Sequence, residues 1–286
     1  MDVLITYFSQ TGNTERIAEA IRKGIRESDN NCKLVRIRDF KKENVENFEL
    51  IGIGTPTFFY REPVNVHNFI KKLNKQDGKH CFLFCTHGSM IGNTFYYMNE
   101  ELKRKGFLTI GTFDTYASSS IQFYPQPMHT EGHPDDIEIK EAEQFGKKIC
   151  EISHRINNNE KDLIPEFTEI TDTWWAYESR RLTLDVLRSI SPNFKIDISK
   201  CTKCLSCQEN CPTNAIDIEN DPPLIQLEGC IFCWFCEKSC PENAMIADWS
   251  FFKRTAKKNL TRYIEILKEA EKQNTFRPYV NYKEIC

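Results

Sequence analysis

The sequence predicts an α/β fold in which a doubly wound, five-stranded parallel sheet is followed by a small cysteine-rich α+β module and a closing helix. Three observations predict it. Short apolar runs alternate with amphipathic helical stretches up to about residue 155, the pattern of a sheet covered on both faces. Eight cysteines then crowd between Cys201 and Cys240 as two copies of one spacing. Finally, Lys253 to Lys272 places Leu260, Tyr263, Ile264 and Leu267 on one helical face. With 286 residues the chain has room for about two domains.

The first expected strand is Asp2 to Phe8, too apolar to alternate, as a strand buried on both faces should be. Ser9-Gln10-Thr11-Gly12-Asn13-Thr14 follows, and from Glu15 to Arg26 the residues Ile17, Ala18, Ile21 and Ile25 share a helical face. A strand-to-helix turn rich in hydroxyl, amide and glycine positions is an anion site, because free N–H groups gather at the helix N-terminus. It carries no Lys or Arg, and the Gly-x4-Gly-Lys-Ser/Thr pattern is absent, so a mononucleotide phosphate fits better than a metal-bound triphosphate. Simple capping would need only one such residue.

Cys32 to Ile37 and Glu49 to Ile53 are the next strands. The third ends in Gly54-Thr55-Pro56-Thr57-Phe58-Phe59-Tyr60-Arg61-Glu62-Pro63, ahead of a helix from Val64 to Leu73. Three consecutive aromatics at the carboxyl end of a parallel strand suit a planar ring ligand if they are exposed. His80 to Cys85 is the fourth strand, and Thr86-His87-Gly88-Ser89-Met90-Ile91-Gly92-Asn93 its loop, whose small residues permit close backbone approach. A helix to Lys105, a fifth strand from Leu108 to Tyr116, and a helix from Asp135 to Ile152 complete the unit. Beyond it, Trp174-Trp175 opens one helical pattern running through Leu182, Val186 and Leu187 to Pro192, read as interface core.

The cysteine stretch reads Cys201-x2-Cys204-x2-Cys207-x3-Cys211-Pro212, and again Cys230-x2-Cys233-x2-Cys236-x3-Cys240-Pro241, 29 positions later. Zinc sites close with two separated pairs, whereas three cysteines in a tight run with a fourth after x3 and a proline fit two [4Fe–4S] clusters. In such runs the fourth cysteine serves the neighbouring cluster. The expected ligand sets are therefore Cys201, Cys204, Cys207 and Cys240 for one, and Cys230, Cys233, Cys236 and Cys211 for the other. Asn214-Ala215-Ile216 repeats as Asn243-Ala244-Met245, an internal duplication. Phe194 to Ile198 should pair with Ala244 to Ala247, and Ala215 to Glu219 with Leu224 to Glu228. Cys32, Cys81, Cys85 and Cys150 read as buried small hydrophobes and Cys286 as a terminal thiol without assigned work.

Other classes recede. A formal charge of −3 gives no basic field for nucleic acid. No triad, paired carboxylates or Gly-x-Gly-x-x-Gly fingerprint is present, and no 18-residue apolar run predicts a membrane span. With no signal sequence recognised and many thiols, a reduced cytoplasm is expected, with oxygen sensitivity.

Residues 1 to about 155 resemble a flavodoxin: Ser9 to Thr14 matches the family's FMN phosphate loop, Thr55 to Tyr60 its first isoalloxazine loop, and Thr86 to Gly92 its second. Gly132-His133-Pro134-Asp135 before the last helix also fits. The resemblance implies sheet order 2-1-3-4-5 and FMN held by Ser9, Gln10, Thr11, Gly12, Asn13, Thr14, Pro56, Thr57, Phe58, Phe59, Tyr60, Thr86, His87, Gly88, Ser89, Gly92 and Asn93. It also exposes a departure. The family's glycine after the stacking aromatic, whose peptide flips on reduction, is Phe59 here, and a non-glycine residue resists positive φ by about 1 kcal/mol. A weakly stabilised neutral semiquinone is expected.

The whole chain is similar to the flavodoxin–ferredoxin fusion proteins of anaerobes. The expected division is 1–155 flavodoxin-like, 156–193 linker and interface helix, 194–249 2[4Fe-4S] ferredoxin-like, and 250–286 C-terminal helix and tail. The expected function is relay of low-potential electrons between two [4Fe-4S] clusters and FMN, in exchange with ferredoxin- or flavodoxin-dependent oxidoreductases. The alternative is a flavin-dependent reductase of a quinone-like or tetrapyrrole-like acceptor, with His87, Tyr60 and Tyr124 near the chemistry.

Overall fold

The computed structural model describes residues 1–40, 45–119, 121 and 123–285, so the expectation for Cys286 lies outside the described residues. The chain forms two compact units, one of Met1–Ser118 with Thr130–Ser179 and one of Ser119–His129 with Arg180–Cys286.

In the first unit, β1 (Asp2–Tyr7) leads into α1 (Asn13–Glu27), and then come β2 (Asn31–Arg36), β3 (Leu50–Pro56), α2 (Val64–Lys72), β4 (Lys79–His87), α3 (Thr94–Arg104), β5 (Phe107–Tyr116) and α4 (Asp136–Asn157). The five strands lie in the order 2-1-3-4-5, and every pairing is parallel. Period-2 alternation divides the strand side chains between two cores. Val3, Ile5, Phe82 and Phe84 pack with Ile17, Ile21, Ala142 and Ile149 of α1 and α4. Leu4, Ile51, Ile53 and Leu83 pack with Val66, Ile70, Met98 and Leu102 of α2 and α3. A strand covered on both faces has no polar side to show, which is why these runs read as continuous apolar sequence.

The helices α1 and α4 meet at Gly24 and Gly146. A Cβ on Gly24 would lie 1.9 Å from the Glu143 carbonyl oxygen, and one on Gly146 would lie 2.2 Å from that of Ile21. The start of α4 is fixed by a capping box in which the Asp135 carboxylate accepts from the N–H groups of Ile137 and Glu138 and the Glu138 carboxylate accepts from the Asp135 N–H. The expected helix start at Asp135 is thus the cap itself.

Two boundaries near the loops differ from expectation. β3 runs on to Pro56 and β4 to His87, because Pro56 pairs with Thr86 and His87 with Tyr116. Thr86 and His87 are therefore the end of a strand. The single helical stretch expected after Trp174 is two helices, α5 (Trp174–Arg181) and α6 (Leu184–Ile190). Thr183 breaks them, its Oγ1 accepting from the Val186 N–H as an N-cap.

The second unit contains β6 (Lys195–Ile196), α7 (Ser206–Glu209), β7 (Ile216–Asp217), β8 (Leu224–Ile225), α8 (Phe235–Ser239), β9 (Met245–Ile246), α9 (Ser250–Lys272) and α10 (Tyr282–Ile285). β6 pairs with β9 and β7 with β8, both antiparallel. The strands are shorter than expected; β7 ends where the Ile218 N–H turns from the ladder to the Gln208 side chain at 2.7 Å. α9 begins three residues before the expected Lys253, where Asp248 accepts from the Ser250 N–H, and it buries Ala256, Leu260, Ile264 and Leu267.

Candidate functional site

Three loops meet at the carboxyl end of the sheet in the first unit. α1 starts at Gly12, whose φ of 88° is left-handed and which offers no side-chain cap, so a ligand can take the first-turn N–H groups. Beside it, Ser9 Oγ is buried without a hydrogen-bond partner among the described residues, and so is Ser89 Oγ in the third loop. A buried hydroxyl left unpaired costs about 1–3 kcal/mol, and both lie in loops expected to hold polar parts of one ligand. Thr14 Oγ1 meets Thr86 Oγ1 at 2.7 Å, and Asn13 Nδ2 donates to the Ser118 carbonyl at 3.0 Å. The first loop is thereby tied to β4 and to the end of β5. Thr11 is exposed.

The second loop is a tight turn. Phe58 N–H donates to Arg61 O at 2.8 Å and Arg61 N–H to Phe58 O at 3.1 Å, with Phe59 at φ 51° and Tyr60 at φ 66°. Two left-handed central residues closed by reciprocal bonds are the geometry of a type I′ turn, ordinarily built from Asn and Gly. The reluctance of Phe59 to enter positive φ is thus overcome by its surroundings. Tyr60 is covered rather than exposed: its ring lies 5.5 Å from that of Trp174 and 6.3 Å from that of Trp175. Phe58 and Phe59 are half-buried. Thr57 is held by its N–H to Thr86 O at 2.9 Å and its hydroxyl against Thr94 Oγ1 at 3.0 Å, while Pro56 closes β3.

The third loop packs on the second. Gly92, at φ 65°, has the Tyr60 carbonyl oxygen 2.3 Å from where a Cβ would stand. The close approach that this glycine permits is therefore to the neighbouring loop. His87 has an oxygen partner at each ring nitrogen, Gly88 O at 2.9 Å and Asp114 Oδ2 at 3.0 Å. Sequence reasoning missed the strap behind these loops. Asn93 grips Ile170 twice, Nδ2 donating to its carbonyl at 2.8 Å and Oδ1 accepting from its N–H at 3.0 Å. Tyr97 donates to Glu169 at 2.8 Å and lies under the Arg61 guanidinium at 4.4 Å. The Trp174-Trp175 pair was the only sequence signal of it.

In the second unit the eight cysteines line two cavities. Cys201, Cys204, Cys207 and Cys240 line one, and Cys211, Cys230, Cys233 and Cys236 the other. Each cavity takes three sulfurs from one run and one from the other. N–H groups point at sulfur: Ala215 to Cys211 at 3.2 Å, Phe232 to Cys230 at 3.3 Å and Ala244 to Cys240 at 3.2 Å. Burial pushes the Cys233 thiol up to about 12 and raises those of Cys207, Cys230 and Cys236. Charge on these sulfurs needs a cationic centre, the chemistry of a metal-cluster donor set. Around the second cavity, Trp234 is enclosed by Phe123, Trp249 and Phe252 at centroid distances of 5.6, 5.1 and 5.9 Å. Tyr124 belongs to this same unit, 6.1 Å from Tyr263.

A fold and loop set of this kind defines a class of flavin-binding electron carrier, and the paired cysteine cavities define a second. Residues 5–124 match the flavodoxin family model and residues 200–245 that of the 4Fe-4S dicluster domain. An uncharacterised protein of Methanocaldococcus jannaschii is 30% identical over 154 residues, which is 52% of this chain and 98% of the relative. A flavodoxin of Clostridium beijerinckii is 28% identical over 151 residues, covering 52% and 99%. Among solved structures, an archaeal flavodoxin has a TM-score of 0.44 at 22% identity, covering 54% of this chain and 99% of that one. Two-electron reduced Megasphaera elsdenii flavodoxin has a TM-score of 0.41 at 25% identity, covering 51% and 98%. The chain belongs to the flavodoxin family through its first half and, with a 4Fe-4S dicluster domain in its second, is a flavodoxin–ferredoxin fusion. It is an electron-transfer flavoprotein, with FMN and iron–sulfur clusters as its cofactors. Among the described residues no helix is long and apolar enough to cross a membrane.

Proposed function

We propose that the protein relays low-potential electrons between two [4Fe–4S] clusters and FMN, exchanging them with external redox proteins. The carrying observation is the pair of cavities lined by four cysteines each, three from one run and one from the other. FMN exchanges one or two electrons and each cluster exchanges one, so a flavin and two clusters together convert between the two modes.

On this reading Cys201, Cys204, Cys207 and Cys240 hold one cluster and Cys230, Cys233, Cys236 and Cys211 the other. Ser9 to Thr14 hold the flavin phosphate with neutral donors and the start of α1. Pro56 to Tyr60 and the residues Thr86, His87, Gly88, Ser89, Gly92 and Asn93 hold the ring. The division of labour is residues 1–155 for flavin, 194–249 for clusters, 156–193 as connection and 250–286 as a closing helix. Apolar side chains such as Phe232 and Trp234 exclude water from the sulfurs. Eight thiolates need a reducing compartment, which favours the cytoplasm.

The reductase reading gains no specific support, since both His87 ring nitrogens are engaged and Tyr60 is covered. Anaerobic stepwise reduction with iron and flavin analysis tests the relay. About eight irons and one flavin per chain are expected; about four irons, or no flavin, would defeat it.

A further inference from the structure

The cysteine loop is built twice on one backbone but dressed in two ways. Lys203 and Phe232, the equivalent residues before the middle cysteines, both have φ 53°, and Leu205 and Trp234, which follow those cysteines, have φ 63° and 54°. Left-handed φ at four non-glycine positions shows that the wrapping of the two loops is the same. The side chains laid over it differ. In the first loop Thr202, Lys203 and Cys204 are exposed. In the second, Ile231, Phe232 and Trp234 are 6%, 2% and 5% exposed, with the aromatic cage of Phe123, Trp249 and Phe252 over Trp234. Since the backbone is satisfied by either set, the apolar skin of one loop and the open polar skin of the other are not demanded by the fold.

The ground around the first cavity is dressed as a contact surface. Asp197 N–H donates to Ala244 O at 2.8 Å, which sets two apolar residues, Ile198 at 53% and Ile246 at 45% exposed, on segments beside the cavity wall formed by Ala244. With Lys195, Lys200 and Lys203 against Asp197, Glu219, Asp221, Glu242 and Asp248 on the same segments, the charged rim is acidic on balance. Lys203 lies 3.9 Å from Asp221 and Lys200 3.6 Å from Asp197, while Glu242 lines the cavity itself. A small apolar area inside an acidic rim fits a partner with a basic rim, through steering that salt weakens.

Resting on the two-cluster reading above, we propose that the centre held by Cys201, Cys204, Cys207 and Cys240 is the port at which this protein exchanges single electrons with a carrier protein whose docking face is basic. The centre held by Cys230, Cys233, Cys236 and Cys211, under Ile231, Phe232 and Trp234, is the more covered of the two and is not the docking point. The exchange moves one electron and makes or breaks no bond: as the port is reduced the carrier is oxidised, and the reverse.

The test uses the full-length holoprotein and the methyl viologen cation radical as a small cationic reductant, followed by stopped-flow absorbance. Lys203→Glu makes the port rim more acidic and is expected to raise the bimolecular reduction rate about twofold near 0.1 M salt, the gain shrinking as salt is added. Arg188→Glu makes the same charge reversal on an exposed residue of α6 near Cys230 of the other centre and is expected to change the rate by clearly less. Equal responses in the two variants, or a larger one at Arg188, overturn the port assignment. Iron is counted in the same samples. At about eight irons per chain a lack of contrast removes only the port, whereas fewer irons removes the two-cluster reading and the port with it.

Discussion

The backbone N–H of Asn93 donates to the carbonyl of Tyr60 at 2.8 Å, joining the two loops expected to hold the flavin ring. The approach is possible because Gly92 has no Cβ to collide with that carbonyl. Gly92→Ala combines a left-handed φ with a collision against backbone. It should cost about 1–3 kcal/mol of stability and loosen flavin binding. Thermal unfolding with and without added FMN reads both, and a variant of unchanged stability and affinity would show that the two loops do not depend on each other.

The turn at Phe59 and Tyr60 governs a second expectation. Both residues are already left-handed, Phe58 O is bonded to Arg61 N–H, and Tyr60 O to Asn93 N–H. Reversing the peptide between them would drive Phe59 toward backbone angles populated almost only by glycine. The protein as it stands should therefore accumulate little one-electron-reduced neutral flavin during photoreduction, and Phe59→Gly should accumulate more. A stoichiometric blue radical in the unaltered protein would contradict this.

Single serine substitutions separate the cysteine sets. Cys240→Ser lies in the sequence run of Cys230, yet it should remove the centre lined by Cys201, Cys204 and Cys207, leaving about four irons. Cys211→Ser should remove the other. Electron paramagnetic resonance of the reduced variants, compared with Cys204→Ser and Cys233→Ser, decides the pairing. If Cys240→Ser matches Cys233→Ser instead, the sets are not crossed.

A pH dependence follows from His129. Its ring stacks on Tyr263 at 5.7 Å near Tyr124 at 6.1 Å, its Nδ1 has no hydrogen-bond partner among the described residues, and burial lowers its pKa from 6.5 to about 4. The unfolded chain thus takes up a proton that the folded one refuses. The stability this group permits is complete above the unfolded value and is lost as pH falls from about 6.5 toward 4, by about 2 kcal/mol at pH 5. Urea unfolding at pH 7 and pH 5 should show a smaller loss in His129→Phe than in the unaltered chain. Identical losses would place His129 in solvent.

Much of this was legible because particular residues carry strong patterns. Ile5 and Phe82 belong to runs too apolar for anything but a two-sided sheet, and the duplicated spacing from Cys201 and from Cys230 restricts the chemistry to clusters. Sheet order 2-1-3-4-5 came from the resemblance, since pairing between distant strands leaves no local trace. The strap was illegible for a related reason. Asn93 holds the backbone of Ile170 across 77 positions, a contact that needs no periodic side chain. Likewise Phe123 and Tyr124 sit in a polar loop whose composition gives no sign of grouping with the cysteine unit. The left-handed Phe59 ran against backbone propensity, and only its bonded neighbours explain it.

The relay itself is tested most directly by rapid anaerobic mixing of the oxidised holoprotein with a one-electron reductant, while cluster and flavin absorbance are followed separately. Cluster bleaching is expected to be followed by flavin reduction at a rate independent of protein concentration. Clusters that stay reduced beside an oxidised flavin, or a flavin rate that rises in proportion to protein concentration, would contradict transfer within the chain.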